Sequence, residues 1–135
     1  MRGACARGDV LLFDTDVLIW FLRGNTNARE KVLAESPFKI SAVTYMELVQ
    51  GMRNGQELAA LKKTLQKLDV EILHLDGAIS ANAVAFVEDY HLSHSMEMGD
   101  ALIAATCIQH GETLCTANDK HYKSIPGIAL DVFRP

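Results

Sequence analysis

The chain has 135 residues, enough for one domain whose core needs no disulfide or metal to hold it together. Hydrophobic residues make up 49%, which excludes an intrinsically disordered chain. The net charge of -4 excludes a protein that coats nucleic acid by charge alone, although a divalent cation bound to acidic residues can still bring them to a phosphate.

Met1 to Asp9 carries two Arg and no apolar run, and the apolar run that follows is broken by Asp14 and Asp16. Neither a signal peptide nor a transmembrane helix is expected. Residues 1–8 read as an extension of disorder-prone composition, and 9–135 as a single domain. The three cysteines, Cys5, Cys107 and Cys115, are odd in number and lack metal-type pair spacing, so a reducing cytoplasm is the expected location.

Val10 to Phe13 is a short strand apolar on both faces, ending in Asp14. Asp16 is expected to cap the helix that follows, with Val17, Trp20 and Phe21 on its apolar face and Gly24-Asn25 at its end. Thr26 to Glu35 is a second helix, stopped by Pro37, and Phe38 to Ser41 a second strand. Ala42 to Arg53 is a third helix, ended by Asn54-Gly55. Glu57 to Leu68 is a fourth, with Leu58, Leu61, Leu65 and Leu68 on one face and Lys62, Lys63 and Lys67 on the other. Val70 to Leu75 is a strand, and Asp76 caps a helix reaching about Tyr90. His91 to Met96 reads as a loop. Met98 to His110 is an apolar helix closed by Gly111, and Thr113 to Thr116 and Ile128 to Val132 are the last strands. Strands alternating with helices predict an α/β fold with a central parallel sheet covered on both faces.

Four polar positions fall at element ends. Asp14 follows a buried strand with no Lys or Arg in the flanking run. An acid there is common in turns, but an unpaired buried charge is costly and calls for a partner. Glu47 follows Thr44 at capping-box spacing. It bonds back to the helix start if Thr44 is the cap, and points toward the strand ends if the helix begins earlier. Asp100 opens an otherwise uncharged helix, where it complements the helix dipole, and Ala101, Ala104 and Ala105 allow that helix close to the sheet. Glu97, one turn earlier, reads as solvated. Thr116 with Asn118 or Asp119 forms a polar turn that can add oxygens to the same place. An oxygen-only set suits a hard cation such as Mg²⁺ or Mn²⁺. His91-x-x-His94 has zinc-type spacing but no third ligand nearby, and reads as surface.

Phe13-Asp14-Thr15-Asp16-Val17-Leu18-Ile19, Thr44-x-x-Glu47-Leu48-x-x-Gly51, Asp100-Ala101-Leu102-Ile103-Ala104-Ala105 and Thr116-x-Asn118 resemble, in order and spacing, the PIN-domain family, and most of all its VapC-type toxins. The resemblance covers Leu11 to about Phe133. It implies about five parallel strands flanked by helices and a metal-dependent ribonuclease that cuts single-stranded or loop RNA. Asp14 and Asp100 would hold a first Mg²⁺ or Mn²⁺, with Glu47 completing the set or orienting the attacking water. Thr15 and Thr116 would orient carboxylates. The fourth acidic position falls on Asn118, on Asp119 or in the region of His121. Arg23, Arg53 and Lys120 are candidate RNA contacts. The resemblance also implies a small antitoxin partner and a homodimer. Trp20, Phe21, Tyr45 and Met46 are candidates for the antitoxin groove, although core burial is the expected fate of most of them.

Two other readings compete. Asp14-x-Asp16 after a strand also resembles the nucleophile motif of haloacid-dehalogenase-like phosphatases, with Asp14 as covalent nucleophile. Against this, Gly99-Asp100 opens a helix with no apolar strand before it, and no catalytic Lys motif is evident. The third reading is a PIN-like binding domain without activity.

Overall fold

The structure, a computed structural model, describes residues 10–135. The proposed extension over 1–8 lies outside the described residues. The elements run β1 (Leu11–Phe13), α1 (Thr15–Leu22), α2 (Thr26–Glu35), β2 (Lys39–Ser41), α3 (Ala42–Gln50), α4 (Gly55–Lys67), β3 (Glu71–Leu73), α5 (Gly77–His94), α6 (Met98–Gln109), β4 (Thr113–Thr116) and β5 (Ala129–Val132). A short 3-10 turn (Asp119–His121) follows β4.

All four strand pairings are parallel, in the order β3-β2-β1-β4-β5. The five-stranded parallel α/β sheet is thus the one the apolar patterning predicts. Its central strand is β1, and the three residues of that strand serve two cores. Leu11 and Phe13 pack with Val17, Val32, Phe38 and Leu61 on one face, while Leu12 packs with Ile79, Ala101, Ile103 and Leu114 on the other. Successive strand side chains point to opposite faces, so a strand covered on both sides must be apolar throughout. From β1 the chain builds outward through β2 to β3, then crosses back to β4 on the other side of β1. The carboxyl ends of β1 and β4 therefore flank a topological switch point, where open α/β sheets bind their ligands.

Several boundaries differ from those read in the sequence, each for a local reason. Helix α1 starts at Thr15, and Asp14 rather than Asp16 is its N-cap. Its core residues are Val17 and Leu18, whereas Trp20 faces outward, 37% exposed. Helix α3 stops at Gly51, whose amide closes the last turn onto Glu47 and Leu48 carbonyls, and Asn54 caps α4 instead of ending α3. The segment expected as a loop from His91 continues α5 to His94. Ser95 ends that helix in the left-handed conformation at φ 57°, its amide donating to His91 O, while Nδ1 of His91 lies 2.8 Å from Met96 O. No helix among the described residues is long and apolar enough to cross a membrane.

Candidate active site

Asp14 leaves β1 still tied to the sheet, its amide donating to Cys115 O at 2.9 Å. Its side chain is 5% exposed. Oδ1 accepts from the Thr15 amide at 2.8 Å, and Oδ2 accepts from the Thr116 hydroxyl at 2.8 Å. Thr116 is the last residue of β4 and also accepts from the Asn118 amide at 2.9 Å. The parallel register places β4 beside β1, with Phe13 opposite Cys115, so the residues following each strand meet.

Asp16 comes to the same place from the first turn of α1. Its Oδ2 accepts from the Ala117 amide at 3.1 Å, and its Oδ1, although buried, has no hydrogen-bond partner. It is part of the cleft lining and not the helix cap read from the sequence.

Glu47 lies in the second turn of α3. Ser41 caps that helix, so Thr44 is not at a cap position and the capping-box alternative does not apply. Glu47 instead reaches the strand ends, with Oε1 2.6 Å from the Thr15 hydroxyl, which also lies 3.0 Å from the Thr44 hydroxyl. A hydroxyl has one proton. The shorter contact to a charged acceptor takes it, and Thr44 then donates to Thr15. Gly99 permits the approach of α6 to this carboxylate, because a Cβ at that position would sit 3.1 Å from Glu47 Oε2.

Asp100 stands in the first turn of α6. It accepts from the Glu97 amide at 3.3 Å, so the helix-start role and the cleft role coincide in one side chain. The hydroxyl of the fully buried Tyr122 is 3.4 Å from its Oδ1, and Nδ1 of His121 is 3.4 Å from its Oδ2. Glu97 itself is exposed, as expected.

Asp14, Thr15, Asp16, Ile19, Glu47, Asp100, Ile103, Asn118 and His121 line one cleft of about 260 Å³. No Lys or Arg is among them. Asp119 is not among them either. It pairs with Arg134 at 3.0 Å, and that guanidinium holds its carboxyl below the usual range. Arg53 is held by Glu57 at 2.6 Å, and with Arg23 it lines a larger cleft of about 660 Å³ between the end of α1 and α4.

The electrostatics follow from this crowding. Burial, then the charge of Asp16, raises Asp14 to about 7, against the lowering effect of its Thr116, Tyr122 and Thr15 contacts. Asp16 is raised as well, first by burial and in part by Asp100, with the Ala117 amide and His121 opposing. Burial and the surrounding carboxylates push Tyr122 well above its ordinary value, which keeps it a hydrogen-bond donor. Among the described residues no three His, Cys, Asp or Glu side chains converge tightly enough to cage an ion by themselves.

Sequence reasoning assigned Asp16 to a cap, weighed Thr44 only as a cap, and did not single out Tyr122. For Asp16 the Asp14-Thr15-Asp16 spacing was the available signal, since its fate turns on where α1 begins. Tyr122 is a lone aromatic in a polar turn, and nothing in the sequence distinguishes it from ordinary core.

The PIN domain family model matches residues 11–128. No curated protein matches the sequence. Among solved structures, a toxin-antitoxin complex from Klebsiella pneumoniae is similar at 28% identity, covering 88% of this chain and 95% of that one, with a TM-score of 0.74. FitAcB from Neisseria gonorrhoeae matches at 25% identity, over 90% of this chain and 96% of that one, TM-score 0.71. DNA-bound VapBC from Salmonella typhimurium, at 21% identity over 92% and 98% with a TM-score of 0.77, shares the fold. The family model, the parallel strand order and the carboxylates gathered at the switch point agree, and the chain belongs to the PIN domain family.

Proposed function

We propose that this protein is a divalent-metal-dependent endoribonuclease and the toxin of a toxin–antitoxin pair. The observation that carries the nuclease reading is a cleft lined by four carboxylates, from Asp14, Asp16, Glu47 and Asp100, with no Lys or Arg in its lining. Two of those carboxylates are raised by burial, and Asp16 Oδ1 lacks a partner. Such a set is electrostatically incomplete, and a hard cation completes it. The donors are carboxylate oxygens, the type taken by Mg²⁺ or Mn²⁺, ions that keep several waters and use few protein ligands.

Asp14 and Asp100 would hold the ion, with Asp16 beside them. When bound, the ion supplies positive charge to the phosphodiester and acidifies water for in-line attack. Thr116 and the Thr15 amide keep both Asp14 oxygens fixed, and Thr15 fixes Glu47. Glu47, the least buried of the acids, orients the attacking water. Asn118 stands at the cleft edge as a neutral polar contact for the RNA backbone, and Asp119 acts at a distance by holding Arg134. Lys120, exposed on the adjoining turn, would meet a phosphate of the RNA.

The toxin reading and the antitoxin partner are supported by the similarity to the Klebsiella pneumoniae toxin-antitoxin complex. A homodimer is proposed with them. Trp20 and Met46 are 37% and 51% exposed, as a partner groove requires, whereas Phe21 and Tyr45 are partly packed against the core.

The test is cleavage of single-stranded RNA with Mg²⁺ or Mn²⁺ by the wild type, Asp14→Asn and Asp100→Asn. Metal-dependent cleavage by the wild type alone is expected. Equal, metal-independent cleavage by all three would overturn the nuclease reading. An acyl-phosphate trapped on Asp14 would favour the phosphatase instead.

A further inference from the structure

The cleft contains one nitrogen donor among its oxygens. We propose that His121 is a ligand that biases this centre toward a first-row transition-metal ion such as Mn²⁺ over Mg²⁺. The inference rests on the metal-dependent reading above.

Of the five histidines in the chain, His121 is the one that lines the acid cleft. His91 is engaged with Met96 O and His94 with the Ser93 hydroxyl, both on the end of α5. The backbone of His121 is anchored. Its amide donates to Asn118 O at 3.0 Å, and Tyr122, the next residue, is fully buried. The ring remains 41% exposed, with Nδ1 3.4 Å from Asp100 Oδ2. It is therefore held beside one candidate ligand while keeping room to turn. Asp16 lines the same cleft as the ring, and Asp100 lies beside it. A turn of the exposed ring would therefore bring the imidazole toward an ion held by those carboxylates.

The chemistry follows from ligand type. Mg²⁺ prefers oxygen donors and retains its waters, so it gains little from an imidazole. First-row transition ions accept imidazole nitrogen alongside carboxylates. A mixed set of Asp oxygens and one His nitrogen thus discriminates between them.

The experiment uses the full chain loaded with Mn²⁺ alone or Mg²⁺ alone. Pulsed electron paramagnetic resonance on the Mn²⁺ form reads directly coupled nitrogen, and calorimetry reads both affinities. The wild type is expected to show coupling to one imidazole nitrogen and to bind Mn²⁺ at least about tenfold more tightly than Mg²⁺. In His121→Asn the coupling disappears and Mn²⁺ affinity falls roughly tenfold, the scale of a lost ligand or ligand support, while Mg²⁺ affinity is unchanged. His121→Asp, which restores an oxygen, raises Mg²⁺ affinity. No nitrogen coupling in the wild type, or an equal loss of both ions in His121→Asn, would overturn the proposal and leave the nuclease reading standing. Failure of the wild type to bind either ion would overturn both. Melting in EDTA reports folding of each variant independently of metal.

Discussion

Asp14→Asn should stabilise the metal-free protein at high pH and remove its response to metal. The folded carboxyl titrates near 7 against an ordinary value of 3.8, because burial and Asp16 oppose its charge. A folded-state value above the unfolded one means that stability is greatest below about pH 4 and declines as pH rises through 7. The interval from 3.8 to about 7, at 1.36 kcal/mol per pH unit, sets a ceiling of about 4 kcal/mol. The Asp14–Asp16 part of that needs both groups charged, so the ceiling is approached only where both are ionised. Asparagine also supplies one acceptor where the carboxylate supplies two, so either the Thr15 amide or the Thr116 hydroxyl loses its bond, at about 1 kcal/mol. The net gain above pH 7 is then on the order of 2 kcal/mol, or several degrees in Tm for a domain of this size. The assay is thermal unfolding of wild type and Asp14→Asn in EDTA at pH 4 and pH 8. The comparison cancels groups that titrate identically in both proteins. The variant should be slightly less stable than wild type at pH 4 and more stable at pH 8. Added Mn²⁺ at pH 8 should raise the wild type and leave the variant unchanged. If Asp14→Asn were destabilised equally at both pH values, the carboxylate would not be under the desolvation strain inferred here.

Other outcomes follow from the same geometry. Thr116→Val removes the donor to Asp14 Oδ2 and the acceptor of the Asn118 amide, and should lower metal affinity about 10- to 100-fold in calorimetry. Gly99→Ala places a Cβ 3.1 Å from Glu47 Oε2; RNA cleavage should fall while Tm holds or rises slightly, since alanine suits the first turn of a helix better by about 0.5–1 kcal/mol. Asp16→Asn should weaken metal binding in titration, whereas Asp119→Asn, bound to Arg134 outside the cleft, should leave it within about twofold. Equal effects of those two substitutions would contradict the placement of Asp16 in the site.

The order of elements, the parallel sheet and the apolar strand at its centre were legible in the sequence, because apolar periodicity and length report burial directly. Glu47 and Asp100 were visible as acids near helix starts, but each carried a local alternative. For Asp100 the local role and the cleft role proved compatible, since its carboxylate accepts from the Glu97 amide and still faces His121 and Tyr122. For Glu47 they were exclusive, and a cap at Ser41 rather than at Thr44 decided between them. Asp14 and Asp16 exchanged the cap role for the same kind of reason: a shift of two residues in the start of α1 turns the side chain by about 200°.

What tertiary structure alone decided is which polar groups share a cleft. Asp14 meets Thr116 across 102 residues of sequence because β1 and β4 are neighbours, and Thr15 meets Glu47 because α3 leaves the sheet on the other side of β1. Tyr122 and His121 join Asp100, and Asp119 turns away to Arg134, through the single 3-10 turn after β4. Local sequence determines that an acid stands at the end of an element. The partners that tune its charge arrive from strands and helices whose adjacency is a property of the whole sheet.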